Sequence, residues 1–283
     1  MSTQNVHASP ENVGALMRWH LDAGVDETIG DAPVDRYKGP AVIAASSQNA
    51  AVAAPVARPT VPPRPVAAAT PAVLSDSPVA MGAAEIAGAC NSLADLRSAV
   101  EGFDGCALKT FASKTVFADG ALDSPVMIIG EAPGEDEDRQ GLPFVGVSGK
   151  LLDRMLDSVG LDRAKNAYIT NIVFWRPPGN RKPTSEEVAI CLPFVRRHIE
   201  LLAPKLLILL GGPSATTMLG NAQGITKLRG KWFDYASPGL SNAIPTMATF
   251  HPAYLLRSPQ QKRLAWRDLL AIRYKLADLG VTI

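Results

Sequence analysis

Three polar residues stand where apolar runs give way to loops: Glu131 after VMIIG (126–130), Asn171 within YITNIVF (168–174) and His251 after IPTMATF (244–250). A carboxylate can take up a proton or face a cation, an amide both donates and accepts, and an imidazole can donate to a developing anion. Glu131 opens the stretch GEAPGEDEDRQGLPFVGVSG (130–149), where five glycines, two prolines and six charged residues leave little to build a core. The same stretch carries Phe144 in PFVG, an aromatic ring among small residues just before a helical pattern. Asn171 is an amide on an otherwise apolar strand, where a polar group without a partner is costly.

The elements that must position these residues alternate strand with helix. VMIIG, YITNIVF, KLLILLG (205–211) and IPTMATF are short continuous apolar runs and read as buried strands. KLLDRMLDSVG (150–160) places Leu151, Leu152, Met155, Leu156 and Val159 on one helical face. PTSEEVAICLPFVRRHIELLAP (183–204) opens with capping-box spacing, Thr184 to Glu187. SLADLRSAVEGF (92–103) and SATTML (214–219) predict helices, and Ser258 with Pro259 starts a last one through about Leu276. The pattern predicts an α/β fold: a three-layer α/β/α domain around a short parallel sheet of about four strands. Ligands bind such sheets outside the carboxyl ends of the strands. The loops after Gly130, Phe174, Gly211 and Phe250 are therefore predicted to converge, carrying the opening motif, WRPPGNRKP, GGPSA and HPAYLLRSP.

Residues 41–80 contain 13 alanines and 7 prolines, with only Arg58, Arg64 and Asp76 charged. Repeated proline forbids a continuous helix, and alanine buries too little area to offset ordering. The expected division is an N-terminal segment, 1–40, with one short helix within 11–27; a disordered Ala/Pro-rich linker, 41–84; and a folded domain, 85–283. The N-terminal segment is a candidate docking element for a protein partner, and the domain is expected to act as a monomer. A net charge of +1 excludes an overall basic field of the histone kind. Cys90, Cys106 and Cys191, with no CxxC pair, argue against a disulfide framework and predict a reducing, cytoplasmic setting. No secretory leader and no uninterrupted apolar run of about 18 residues are visible, so no membrane span is expected.

Two phosphate-binding readings of the opening loop fail in detail. A P-loop requires GxxxxGK[ST], but Phe144 stands at the first glycine position and Leu151 at the hydroxyl position. A dinucleotide fingerprint requires GxGxxG directly after the strand, where this chain has GEAPG. As a plain surface loop, the segment leaves the run EDED (135–138) solvated but does not explain Glu131 in its Gly/Pro frame or Phe144.

GEAPGEDEDRQGLPFVGVSGKLLDRML (130–156), YITNIVFWRPPGNRKPTSEE (168–187) and HPAYLLRSP (251–259) together resemble the family 4 uracil-DNA glycosylases, in order, over about residues 103–275. The resemblance implies a uracil-DNA glycosylase fold and a monofunctional enzyme that initiates base-excision repair. Such an enzyme flips deoxyuridine out of DNA and hydrolyses its N-glycosidic bond. It implies that Phe144 stacks on the flipped base and that Asn171 reads uracil O4 and N3–H. His251 would donate to O2 as charge builds on the leaving base, and Glu131 would orient water or stabilise the oxocarbenium-like sugar. Asn180, in PPGNR, matches a second polar active-site position. Leu255, Leu256 and Arg257 resemble the intercalating loop, with Arg181 as a further DNA contact. From 250 to 275 six Lys/Arg face one acid, Asp268, a local excess suited to phosphates. A non-catalytic module that binds uracil-containing or single-stranded DNA is the rival; Glu131, Asn171 and His251 together argue against it.

Members of that family typically hold a four-iron, four-sulfur cluster on four cysteines. At the corresponding positions this chain has Phe103 and Cys106 in FDGC, then Trp175 with Cys191 sixteen residues on. The cluster needs thiolates, so no cofactor is expected, with Phe103 and Trp175 filling its space as apolar packing.

Overall fold

A computed structural model describes residues 77–282. The expectations for the N-terminal segment, and for the linker as far as residue 76, lie outside the described residues. Strands and helices alternate from β1 (Asp119–Gly120) and β2 (Val126–Gly130) through β3 (Ala167–Asn171), β4 (Leu206–Leu210), β5 (Trp232–Tyr235) and β6 (Ile244–Thr249). They form one six-stranded sheet in the order β1-β3-β2-β4-β6-β5. The central four, β3-β2-β4-β6, are parallel, with Val126 opposite both Ala167 and Leu206 and with Leu207 opposite Thr246. These are the four predicted strands. The edges β1 and β5 run antiparallel and were not predicted: β1 has two residues, and WFDY of β5 is half exposed, so neither shows a continuous apolar run.

Every residue of β2, β3 and β4 is buried, but alternate residues serve different layers. Met127, Ile129, Leu207 and Leu209 face one apolar cluster, and Val126, Ile128, Leu206 and Ile208 face the other. The first cluster is closed by α1 (Pro78–Ala89), α2 (Leu93–Gly102), α5 (Ser185–Leu202) and α6 (Gly212–Leu219). The second is closed by α4 (Val147–Asp157) and α9 (Lys262–Asp278). Thr184 and Glu187 do form the predicted capping box of α5.

Three sequence-based expectations are corrected. The stretch 78–84, expected to belong to the linker, is helical as part of α1, where Ala80, Ala83 and Ala87 are small enough to bring it against α5. The predicted strand YITNIVF ends at Asn171; beyond it, Ile172 and Val173 donate to the carbonyls of Gly130 and Glu131. The acidic run is not a solvated loop but a short helix, α3 (Glu135–Gln140), in which Glu137 and Asp138 are buried. Asp138 accepts from the backbone N–H groups of Ser113 and Lys114, which explains its burial.

Candidate active site

The four loops converge as the strand order requires. They enclose a cleft of about 760 Å³ at the carboxyl end of the sheet, lined by Glu131, Phe144, Asn171, Asn180, Gly211 and His251 among others. Arg181, Lys182 and Arg257 also reach it. The five candidate catalytic and base-binding residues, Glu131, Phe144, Asn171, Asn180 and His251, thus line a single cleft.

Phe144 is held in a left-handed backbone conformation, φ 53°, which a bulky residue keeps only where its surroundings enforce it. Gly149 allows this, since a Cβ there would overlap the Phe144 carbonyl. Gly130 leaves room for the ring, because a Cβ there would lie 2.6 Å from it and against the Asn171 side chain. Arg163, ion-paired with Asp119 and Asp153, donates to the carbonyls of Pro143 and Phe144 at 3.0 and 2.8 Å. Glu137 completes the frame by accepting from the N–H groups of Gly134, Val145 and Gly146 at 3.1, 2.9 and 2.9 Å. It ties the GEAPG turn to the PFVG turn. Sequence reading missed this role; the one available signal was its spacing, three residues after the Gly134 that caps α3.

Asn171 is 1% exposed, and neither its Oδ1 nor its Nδ2 has a hydrogen-bond partner. A buried amide with both ends open, in the wall of a cleft, is built for a ligand that offers one donor and one acceptor. His251 caps α8 (Pro252–Arg257), its Nδ1 accepting from Ala253 N–H at 3.1 Å. That bond leaves Nε2 to carry the proton of the neutral ring. Burial, and then the Arg257 charge, push the His251 pKa down to about 4, so the ring is neutral at physiological pH. Its ring lies 5.4 Å from that of Phe144. Glu131 is half buried; desolvation raises its pKa and the Lys182 charge opposes that rise. Asn180 is also left-handed, φ 55°, and its Oδ1 accepts from Arg176 at 2.8 Å.

One expected DNA contact needs correction, and another carries a structural bond as well. Leu255 is 1% exposed and packs with Phe250 and Ala265, whereas Leu256 is 41% exposed. Only Leu256 is available to enter a base stack; Leu255 anchors α8. Leu255→Ala is expected to lower unfolding free energy by about 2–5 kcal/mol, and Leu256→Ala by less than about 0.5 kcal/mol, as read from urea titrations. Arg181 is held by Glu187 through two bonds of 2.8 and 2.6 Å, so its guanidinium braces the loop before α5. Arg257 lines the cleft with no ion pair among the described residues.

A second buried histidine shapes the acid response. His198 Nε2 shares a hydrogen bond of 2.8 Å with the Tyr168 hydroxyl, and its ring stacks on Phe117. Its pKa is lowered to about 3 by burial and then by the Arg97 charge. Both histidines bind protons more tightly in the unfolded chain, where the ordinary value is 6.5. Their contribution to stability is therefore complete above about pH 6.5 and is lost as pH falls toward about 4 and 3. Unfolding free energy should drop by roughly 2 kcal/mol per histidine between about pH 7 and 5. Denaturant unfolding at the two pH values measures this, and His198→Phe should remove about half of it.

The cluster positions do not fit four thiolates. Trp175 is buried, donating its indole N–H to Thr115 Oγ1 at 3.0 Å, and Phe103 packs edge-on against Phe194 at 5.1 Å. Cys106 and Cys191 are buried free thiols, and Cys90 donates its thiol to the Ile86 carbonyl. Among the described residues no three Cys, His, Asp or Glu side chains are grouped to hold a metal ion. Nor is any described helix long and apolar enough to cross a membrane.

Residues 117–270, more than half of the chain, match the uracil DNA glycosylase superfamily. The type-4 uracil-DNA glycosylase of Sulfurisphaera tokodaii is 37% identical over 197 residues, 68% of this chain and 86% of that protein. The type-4 uracil-DNA glycosylase of Thermotoga maritima is 40% identical over 58% of this chain and 84% of its own length. A type-5 uracil-DNA glycosylase of Pyrobaculum aerophilum is 33% identical, over only 32% of this chain. With matches of this extent the lineage is clear: the chain belongs to the uracil-DNA glycosylase superfamily, on its type-4 branch.

Proposed function

We propose that this protein removes uracil from DNA by hydrolysing the N-glycosidic bond of an extruded deoxyuridine, as the first step of base-excision repair. The observation that carries the reading is Asn171, whose two unpartnered amide atoms sit in the cleft wall beside the Phe144 ring. Uracil offers an acceptor at O4 and a donor at N3–H, which match the two ends of the amide; cytosine presents the reverse pattern. Phe144 covers the base face and His251 lies on the same side of the cleft.

As the bond to the sugar stretches, electrons move onto the base and negative charge grows on O2. A neutral imidazole with its proton on Nε2 stabilises that charge without first adding a positive charge to the ground state. Glu131 serves the sugar, where its carboxylate holds the attacking water or faces the oxocarbenium-like carbon. Arg257 and Lys182 supply positive charge at the cleft for the flanking phosphates.

The same reading has the protein acting without an iron–sulfur cluster, as a cytoplasmic monomer whose N-terminal segment recruits a protein partner. Stoichiometric iron and acid-labile sulfide in the purified protein would overturn the cluster-free part of it. Activity is tested on a labelled oligonucleotide with a single uracil, treated with alkali after incubation, beside a thymine control. Strand breaks at uracil alone are expected; bound but uncut DNA would instead indicate a binding module.

A further inference from the structure

A second concavity, of about 430 Å³, lies on the other side of α8 from the cleft. Ala253, Tyr254 and Arg257 of α8 line the cleft, and Leu255 lines this groove. The floor is apolar, with Met155 of α4 and Leu269 of α9; the rim is Arg154, Lys262, Arg263 and Trp266. Trp266 is 43% exposed, an unusual position for the largest aromatic side chain. Lys262, Arg263 and Trp266 share one face of α9 by their spacing of three and four residues, while Arg154 comes from the opposite wall on α4.

The charge on this surface is one-sided. No acidic residue lines the groove, and Arg154, Lys262 and Arg263 have no ion pair among the described residues. The acid in the first turns of α9, Asp268, is buried and turned away toward Arg229 and Thr249. A merely solvated helix face normally interleaves both signs. Cations without an ion pair among the described residues, set around an exposed indole, instead make a surface for a polyanion with aromatic faces. Between the groove and the cleft runs α8, which carries the exposed Leu256 and also Arg257, a cleft-lining cation with no ion pair among the described residues.

We propose that the groove holds single-stranded DNA flanking the uracil: the strand leaves the cleft, crosses α8 at Leu256 and Arg257, and stacks one unpaired base on Trp266. The inference rests on the uracil-excision reading and goes beyond it by naming the substrate form. A base still paired inside a duplex cannot offer its face to Trp266, so the groove contributes to single strands, or to duplexes opened beside the lesion, and not to intact duplex.

The test uses the full chain and two probes. Fluorescence anisotropy with a uracil-free thymidine oligonucleotide reads binding alone, and steady-state excision on single-stranded and duplex uracil substrates reads the enzyme. Trp266→Ala is expected to weaken thymidine-strand binding by roughly 5- to 100-fold and to raise KM on single strands by a similar factor, rather than lowering kcat. Trp266→Phe should recover much of the loss. Lys262→Ala with Arg263→Ala should reduce the slope of log affinity against log salt by about one to two. Unchanged single-strand binding by Trp266→Ala, or equal losses on single strands and duplex, would overturn the proposal and leave excision standing. Loss of thymidine-strand binding in a protein that excises nothing would support the groove and sink the excision reading. Should Trp266→Ala fold poorly, Arg263→Glu on the same rim gives the same discrimination.

Discussion

His251→Ala is expected to slow uracil excision by about 10²- to 10³-fold while affinity for uracil-containing DNA changes less than about tenfold. The asymmetry follows from the geometry of the ring. Nδ1 is occupied by Ala253 N–H and burial keeps the imidazole neutral, so Nε2–H is the group left to donate. Before bond cleavage O2 is an ordinary carbonyl oxygen and the hydrogen bond is worth little. As the base leaves, O2 approaches an oxyanion and the same bond strengthens, so its removal falls on kcat. The substitution also removes the N-cap of α8, worth about 1 kcal/mol. His251→Asn keeps a capping side chain at that position and separates the two effects: its melting temperature should stay near that of the parent while excision remains slow. Single-turnover excision beside DNA anisotropy measures the split, and equal losses in rate and affinity would contradict it.

Asn171→Leu is expected to make the protein more stable and nearly inactive. In the free protein both amide atoms are buried without partners. Each unsatisfied buried polar group costs about 1–3 kcal/mol, and an apolar side chain of similar length relieves that cost. For a folded body of this size, about 1 kcal/mol corresponds to a rise of roughly 2–4 °C in Tm. Excision should fall by about 10²-fold, since the base loses both edge contacts and the leucine leaves uracil O4 and N3–H unpaired. Calorimetry and excision on the same preparation decide it. A lower Tm with normal excision would mean that Asn171 is a structural amide. Opposite movements of stability and activity are what a polar group kept for its ligand should produce.

How much was legible in advance depended on how local the cause was. β2 and β4 could be read because a strand buried on both faces has no polar residues to break its run, and β6 because only its threonines interrupt one. The convergence of Glu131, Asn171 and His251 followed from the parallel order, since each stands at or just beyond the carboxyl end of a parallel strand, and Phe144 joins them from the long connection after β2. The capping box at Thr184 was legible because both partners lie within four residues. The burial of Glu137 was not: its partners Val145 and Gly146 come from the next turn, and four acids in a row read as solvated. Nor was the division between Leu255 and Leu256, adjacent leucines of which α8 turns one into the core. The pairing of Arg181 with Glu187, six residues on, was not legible either, because the turn that brings them together is set by the fold.

By itself the sequence determined the parallel α/β sheet, the strand ends that carry the polar residues, and the absence of two of the four cluster thiols. These are matters of residue type and short-range periodicity, which no packing can alter. Tertiary structure alone decided the protonation and the pairing of those residues. It placed His251 where burial keeps it neutral, left Asn171 with both amide atoms open, and bent the backbone at Phe144 between two glycines. It also set Trp266 among Arg154, Lys262 and Arg263, across α8 from the cleft. The physical reason is common to all four: desolvation, hydrogen-bond satisfaction and exposure depend on neighbours that fold in from distant parts of the chain.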